Sequence, residues 1–473
     1  MVTLEQRSSW EPDWPWRDHP ATYRSEEVRT LARWITIGAS GSVVGLRGSG
    51  RSNLLGFLCH RPEALRGYLP PPAFDVLLVP VDLNNLPDPT LATFYRVLLR
   101  AFYEQRTRLP GELQPLTAQL FYENRAATDP FLPQSALREL LFQLQAGARR
   151  VVLVMDRFDA FCRMITPELG DTLVGLRDSF RDTLSYLIGV RQSLVYLETL
   201  ELASDFIRLL TTHTCHLGPL SETDARQMIA RHTKVGGVLP TEQAIRQLLA
   251  LTGGYPSLLK SACQWWLLTP NCPPPEHWLA ALIGEPAIRH RLHEVWSGLT
   301  QEEQQALGEF VVGQERRQGA VTSRLPRHEE VIHALSLKGV CRQAEGRWRC
   351  FGMLFEAYVR QAGGLSRGAI WLDEESQTLY HGAVSLDELT PKERGVLEFL
   401  IKRPRQRHSY TDLIVSAWSD EERYHGVTND SLFQVIRGLR QKLEPNPAEP
   451  LYLVNWRGKP EGGYLFFPEG RPG

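Results

Sequence analysis

The stretch Ser42-Val43-Val44-Gly45-Leu46-Arg47-Gly48-Ser49-Gly50-Arg51-Ser52-Asn53-Leu54-Leu55 admits few folds. An apolar strand runs into a glycine-rich turn, and a helix with apolar residues at Leu54, Leu55 and Leu58 follows at once. Glycines at Gly45, Gly48 and Gly50 let backbone N–H groups converge on phosphate oxygens, and the helix N-terminus adds positive potential. The spacing follows the phosphate-loop template G-x-x-x-x-G-K-[ST]: Gly45, Gly50 and Ser52 fit, and Arg51 stands where the template has lysine. Arginine keeps the positive charge, but its planar fork is bulkier and places that charge differently from an ammonium group. The substitution is therefore expected to spare nucleotide binding and to slow hydrolysis. A strand-to-helix turn with glycines kept for packing is the alternative reading of the same residues.

Three further apolar runs of strand length surround this loop: Phe74–Asp82, Arg149–Asp156 and Leu184–Arg191. Helical patterns separate them at 25–37, 91–105 and 134–146. Strands that are apolar throughout and alternate with helices predict a parallel sheet covered on both faces, an α/β nucleotide-binding core. Ligands on such sheets sit beyond the carboxyl ends of the strands, where the glycine loop, Asp156 and Arg191 all fall. An apolar run ending in Asp156 suits a carboxylate that holds the Mg²⁺ of a bound nucleotide together with Ser52, although a strand-end Asp that caps the next helix has the same appearance. The position after Asp156, where hydrolytic enzymes of this class often carry a second acid, is Arg157.

From Leu217 the texture is helical. Ser221 and Asp224 start one helix; another ends at Gly253-Gly254-Tyr255-Pro256, whose proline starts the next. A proline-rich joint at 270–275 and a capped start at Thr300–Glu303 lead into a small helix-helix-hairpin unit, read as a first winged helix. After Gly363-Gly364, two short strands precede three helices and a hairpin with a basic tip. In the third helix Leu432, Val435, Ile436, Leu439 and Leu443 form the buried face, so Gln434, Arg437 and Gln441 point away. A helix with exposed Arg and Gln beside a hairpin carrying Arg457 and Lys459 suits a DNA major groove and its flanking phosphates; taken alone, the helix is equally a solvated charged face.

The expected boundaries are an N-terminal arm at 1–20 rich in Trp and Pro, a nucleotide-binding domain at 21–216, a helical lid at 217–285, a first winged helix at 286–362 and a second at 366–473. A formal net charge of -1 excludes a globally basic nucleic-acid coat, so DNA binding needs a local patch. Seven cysteines include no C-x-x-C pair, which argues against a zinc ribbon or a dense disulfide framework. Without a leader pattern or a long apolar run, a cytoplasmic protein with no membrane association is expected.

Residues 366 to 468 resemble the OmpR/PhoB-type winged-helix DNA-binding domain through Leu389-Thr390-Pro391-Lys392-Glu393, Ile436-Arg437-Gly438-Leu439-Arg440-Gln441-Lys442-Leu443, Arg457-Gly458 and Gly463-Tyr464. The resemblance implies that Trp418, Arg437 and Arg440 lie against the DNA backbone and that Arg457 reaches from the wing toward the minor groove. Gly438 stands where relatives often place a base-contacting arginine. Residues 20 to about 362 resemble the STAND ATPases, a branch related to AAA+ proteins. The resemblance implies that the segment Tyr23-Arg24-Ser25-Glu26 packs on adenine, that Pro256 approaches the base, and that Leu217-Gly218-Pro219-Leu220 opens the lid. It further implies that ATP or ADP, with Mg²⁺, selects between a closed form and an assembly-competent one.

The resulting expectation is a nucleotide-responsive transcription regulator that binds double-stranded DNA, self-associates on it and is at most a slow ATPase. A DNA-stimulated ATPase of initiation or transposition and a protein-interaction platform with a structural nucleotide are the alternatives. The upstream signal is not legible.

Overall fold

The computed structural model of the chain describes residues 16, 19–69, 75–83, 86–162, 165–194, 204–234, 239–269, 272–316, 329–344, 347–365, 370–373, 377–381, 384–424, 426–444, 447–448, 450–458 and 462–471. Lys459 and most of the N-terminal arm lie outside them. The chain forms two compact units, residues 1–298 with 333–355, and residues 299–332 with 356–473.

The first unit is built on five parallel strands: β1 (Gly41–Val44), β2 (Val76–Pro80), β3 (Arg150–Met155), β4 (Leu184–Val190) and β5 (Thr214–His216). Their order is β2-β3-β4-β1-β5, so β4 separates the strand that feeds the glycine loop from the strand that ends at Asp156. Every residue of β1 and β4 is buried. Such strands need helices on both faces, and their apolar side chains satisfy both. One face packs on helices Leu91–Glu104, Phe131–Ala146 and Pro167–Ser179 through Phe94, Leu98, Phe102, Leu137, Leu140 and Leu173. This is an open parallel α/β sheet with the glycine loop at the carboxyl end of β1. The helix Leu113–Asn124 and strand β5 were not foreseen: β5 is three residues long, too short to show a period, and its edge position comes only from pairing with β1. Trp16, the described tryptophan of the arm, stacks on His60 at the end of the helix Arg51–His60, with ring centroids 4.4 Å apart.

Beyond β5 the unit is helical. Gly253, at φ 59°, ends the helix Glu242–Thr252, and Pro256 opens the helix Pro256–Leu268. The antiparallel hairpin β6 (Cys341–Ala344) and β7 (Arg347–Cys350) completes it.

The second unit carries two small antiparallel sheets. The first is β8 (Ile370–Asp373), β9 (Thr378–His381) and β10 (Val384–Ser385), in the order β10-β9-β8; the other is β11 (Arg407–Ser409), β12 (Leu453–Trp456) and β13 (Gly463–Phe466), in the order β11-β13-β12. Between them lie helices Pro391–Lys402, Tyr410–Ala417, Asp420–Tyr424 and Asn429–Leu443. Thr390 and Glu393 form a full capping box at the first of these. Val396, Leu397, Leu400, Leu413, Leu432, Ile436, Leu439 and Phe466 close the core. Among the described residues no helix is long and apolar enough to cross a membrane.

Candidate functional site

The glycine loop runs from Gly45 to Gly50, with Gly48 at φ 80° and Gly50 at φ 90°, a region that side chains resist. Gly48 has a second reason to lack a side chain: a Cβ there would fall 2.6 Å from the Cβ of Ser257. The loop opens into a pocket of about 540 Å³, within the usual range of about 300–1,000 Å³ for small-molecule sites. Gly45, Gly48, Gly50, Arg51, Ser52 and Asn53 form its floor; Arg157 and Arg191 enter from the ends of β3 and β4. Pro256, Ser257 and Lys260 enter from one helix, and Arg291 and Glu294 from another, Pro286–Trp296. The lining holds six cationic side chains and one carboxylate, which suits a polyanion. Arg47, Lys260 and Arg291 were not foreseen. Lys260 follows Pro256 by one helical turn, so its presence on the same face was readable; Arg291 reaches the pocket only through tertiary packing.

Two of the expected nucleotide-site residues have other partners. Arg24 is 2% exposed; its Nη2 donates to the carbonyls of Ser49 (2.6 Å) and Gly218 (2.9 Å), and its Nη1 pairs with Glu27 at 2.7 Å. It joins the glycine loop to the start of the helical segment, and its own N–H donates to Asp224 at 3.2 Å. Asp156, expected to face a metal, has both oxygens engaged: Arg51 Nε donates to Oδ1 at 2.9 Å and Ser52 Oγ to Oδ2 at 2.5 Å. Arg51 is 7% exposed, so most of its guanidinium is withdrawn from the pocket. Asp159 lies 3.8 Å from Arg51 Nη1 and accepts the Arg191 N–H at 2.7 Å. Burial, and next the charge of Arg47, lower Arg191 below the usual arginine range, while Asp159 opposes them. Arg157 adopts φ 55°, a conformation that costs a non-glycine residue of order 1–3 kcal/mol.

The loop is also tied to the helices beyond the sheet. Tyr255 Oη donates to the Arg47 carbonyl at 2.7 Å, and the Ser257 N–H donates to the Gly48 carbonyl at 3.1 Å. The Tyr255 ring stacks on Phe351, just past β7, at 4.9 Å between centroids. A smaller cavity of about 30 Å³, lined by His19, Tyr23, Asp224, Met228, Arg231 and Pro256 among others, shares Asn53, Met228 and Pro256 with the larger pocket.

In the second unit, Gln434, Arg437 and Gln441 are exposed along one edge of the helix Asn429–Leu443, and Arg457 is exposed just past β12. Leu432, Ile436, Leu439 and Leu443 on the opposite edge are buried. Four helices, this exposed edge and the terminal hairpin occupy residues 391–466, and residues 387–466 match the family described as "Transcriptional regulatory protein, C terminal". The C-terminal domain is an OmpR/PhoB-type winged helix. A curated relative is the alkaline phosphatase synthesis transcriptional regulatory protein SphR of Synechococcus elongatus, 37% identical over 70 residues, 15% of this chain and 26% of SphR. The chain thus spans about a quarter of the length of that relative. Among solved structures, a Walker-type ATPase of Pyrococcus abyssi matches 71% of this chain and 95% of its own at 15% identity and TM-score 0.44. The Aeropyrum pernix ORC1 protein, solved with DNA, matches 74% of this chain and 94% of its own at 18% identity and TM-score 0.36.

Within the OmpR/PhoB-type domain two of the expected DNA contacts, Trp418 and Arg440, also hold the domain together, and Gly438 has no room for a side chain. Trp418 is 9% exposed and belongs to the core, with Lys392 Nζ 5.5 Å from its ring. Arg440 donates through Nη2 to the Leu453 carbonyl (2.6 Å) and to Asn455 Oδ1 (2.7 Å), which fastens its helix to β12. Gly438 faces inward: a Cβ there would collide with the carboxylate of Glu393, so no side chain extends from this position toward a groove.

Proposed function

We propose that the chain is a DNA-binding transcription regulator whose P-loop module, of the STAND kind, binds ATP or ADP and sets the arrangement or assembly of the protein. The observation that carries the reading is the exposed row Gln434, Arg437 and Gln441 with Arg457 nearby, on a domain of the OmpR/PhoB type. Arg and Gln at this spacing along one helix edge supply donors for base edges in a major groove, while Arg457 supplies charge for phosphate or minor groove. One such domain buries little surface on DNA, so two copies on adjacent half-sites would gain affinity by linkage.

The nucleotide part of the reading is supported by the cationic pocket over the glycine loop, with the phosphates on the backbone N–H groups of 48–53 and the base toward Pro256 and Tyr23. Because Tyr255 and Ser257 hold the loop carbonyls, a loop that closes on phosphates moves the helix beginning at Pro256 and the hairpin end at Phe351. Arg157 occupies the position where a water-orienting acid is usual, so hydrolysis is slow or absent.

The test is capture of sheared genomic DNA by the full-length protein with ATP, with ADP and without nucleotide, followed by sequencing of the retained fragments. Discrete sites whose occupancy changes with nucleotide are the expected result. Discrete sites indifferent to nucleotide would overturn the control, and no preferred DNA in any condition would overturn the regulator reading.

A further inference from the structure

In a phosphate loop the hydroxyl after the basic residue and the carboxylate at the end of the facing strand ordinarily hold Mg²⁺ with the phosphates. Here those two groups hold each other. Ser52 Oγ donates its proton to Asp156 Oδ2 at 2.5 Å, and Oδ1 accepts from Arg51 Nε at 2.9 Å. The guanidinium also reaches Asp159, whose Oδ2 lies 3.8 Å from Nη1; neither atom has a hydrogen-bond partner among the described residues. One buried cation therefore lies against two carboxylates. The cluster is closely backed by β4, where a Cβ on Gly189 would fall 2.6 Å from Asp156 Oδ1 and 3.1 Å from Arg51 Nε.

Mg²⁺ does not fit these residues. It requires near-ideal octahedral oxygen geometry at about 2.0–2.1 Å, and here a divalent ion would press against a guanidinium that cannot shed its charge. Its two oxygen donors would have to release partners they already hold, leaving the buried Arg51 charge with Asp159 alone at 3.8 Å, an unfavourable exchange. The pocket needs no metal for charge balance. Among the described residues Arg47, Arg157, Arg191, Lys260 and Arg291 line it with one carboxylate, Glu294, enough to offset a free polyphosphate.

We infer that this pocket takes its nucleotide as the metal-free polyphosphate, with Arg51 occupying the place of the divalent ion. The inference rests on the nucleotide reading above. It also assigns the arginine in the loop a positive role: it takes over the carboxylate of Asp156 in place of a metal and couples the loop to the ends of β3 and β4.

The test is calorimetric titration of the full-length protein with ATP in excess EDTA and in excess MgCl₂, for the native sequence and for Arg51→Lys. The native protein is expected to bind ATP in EDTA with an affinity equal to or above that in Mg²⁺, within about threefold if equal. In Arg51→Lys the shorter-reaching ammonium releases Asp156 and Ser52, and binding becomes at least about tenfold tighter with Mg²⁺ than with EDTA. Native binding that needs Mg²⁺ would overturn the inference and leave the nucleotide reading standing. Metal-independent binding by both proteins would overturn the role given to Arg51. An absence of ATP binding by the native protein in either buffer would overturn inference and nucleotide reading together.

Discussion

Replacing Gly253 by alanine tests the link between the glycine loop and the β6–β7 hairpin. Gly253 closes its helix at φ 59° and donates its N–H to the Leu249 carbonyl at 2.7 Å. A Cβ at this position would sit far inside contact distance of the Phe351 carbonyl and 3.0 Å from the Gly352 nitrogen, so backbone must move. The left-handed conformation costs a residue with a Cβ about 1–2 kcal/mol, and overpacking a filled site costs about 1–3 kcal/mol more. The sum, about 2–5 kcal/mol, weakens the local closed state by about 30- to 4,000-fold. Hydrogen exchange read by mass spectrometry on the full chain measures it. Peptides covering 341–350 should exchange faster by that factor in Gly253→Ala, because displacing Phe351 separates the hairpin from Tyr255. Gly38→Ala is the matched control. Gly38 has φ 66°, but its Cβ would meet only the flexible end of Arg150 at 3.4 Å and the Arg181 carbonyl at 3.6 Å. It bears the conformational strain alone and should leave peptides 341–350 unchanged. Equal exchange at 341–350 in both variants would refute the collision reasoning.

The two arginines of the helix Asn429–Leu443 should separate cleanly. Arg437→Ala is expected to weaken DNA binding evenly across sequences and to lower the salt slope by about 1, with unchanged thermal stability; an unchanged slope in a fluorescence titration would rule out phosphate contact. Arg440→Ala removes bonds from a charged donor to the Leu453 carbonyl and Asn455, so it should destabilise the domain by about 1.5–3 kcal/mol in thermal denaturation; full retention of stability would show that β12 does not depend on it. Acid should also loosen this domain. Burial raises the Glu393 pKa, but hydrogen bonds from Lys442 and Thr390 and the charge of Lys442 outweigh it and hold the carboxyl below the usual range. Its contribution is then complete above the unfolded value, about 4.3, and lost as pH falls through the folded one. Denaturation midpoints should drop below about pH 4.3, with a shallower drop in Lys442→Met; identical acid limbs would exclude the pair as a cause.

What sequence by itself determined was local. The glycine spacing at 45–50, the apolar strands around it, the Gly253–Pro256 joint and the Thr390–Glu393 capping box are each written within a few residues, because loop conformation, strand burial and helix capping depend on near neighbours. They sufficed for the parallel α/β sheet with its glycine loop and for the C-terminal winged helix. The roles of the charged side chains were decided elsewhere. Arg51 and Asp156 are 105 residues apart, and Arg24 and Gly218 are 194 apart, so no spacing rule links them. An arginine is long enough either to enter a pocket or to turn back into the protein, and the choice follows from which carboxylate or carbonyl the fold brings within reach. Arg51 found Asp156, Arg24 found Ser49 and Gly218, and Arg440 found Leu453 and Asn455. Arg437, with its neighbouring positions filled by the buried row Leu432, Ile436 and Leu439, was left facing outward. Local pattern located the sites; long-range packing determined which of their charges remain available to a ligand.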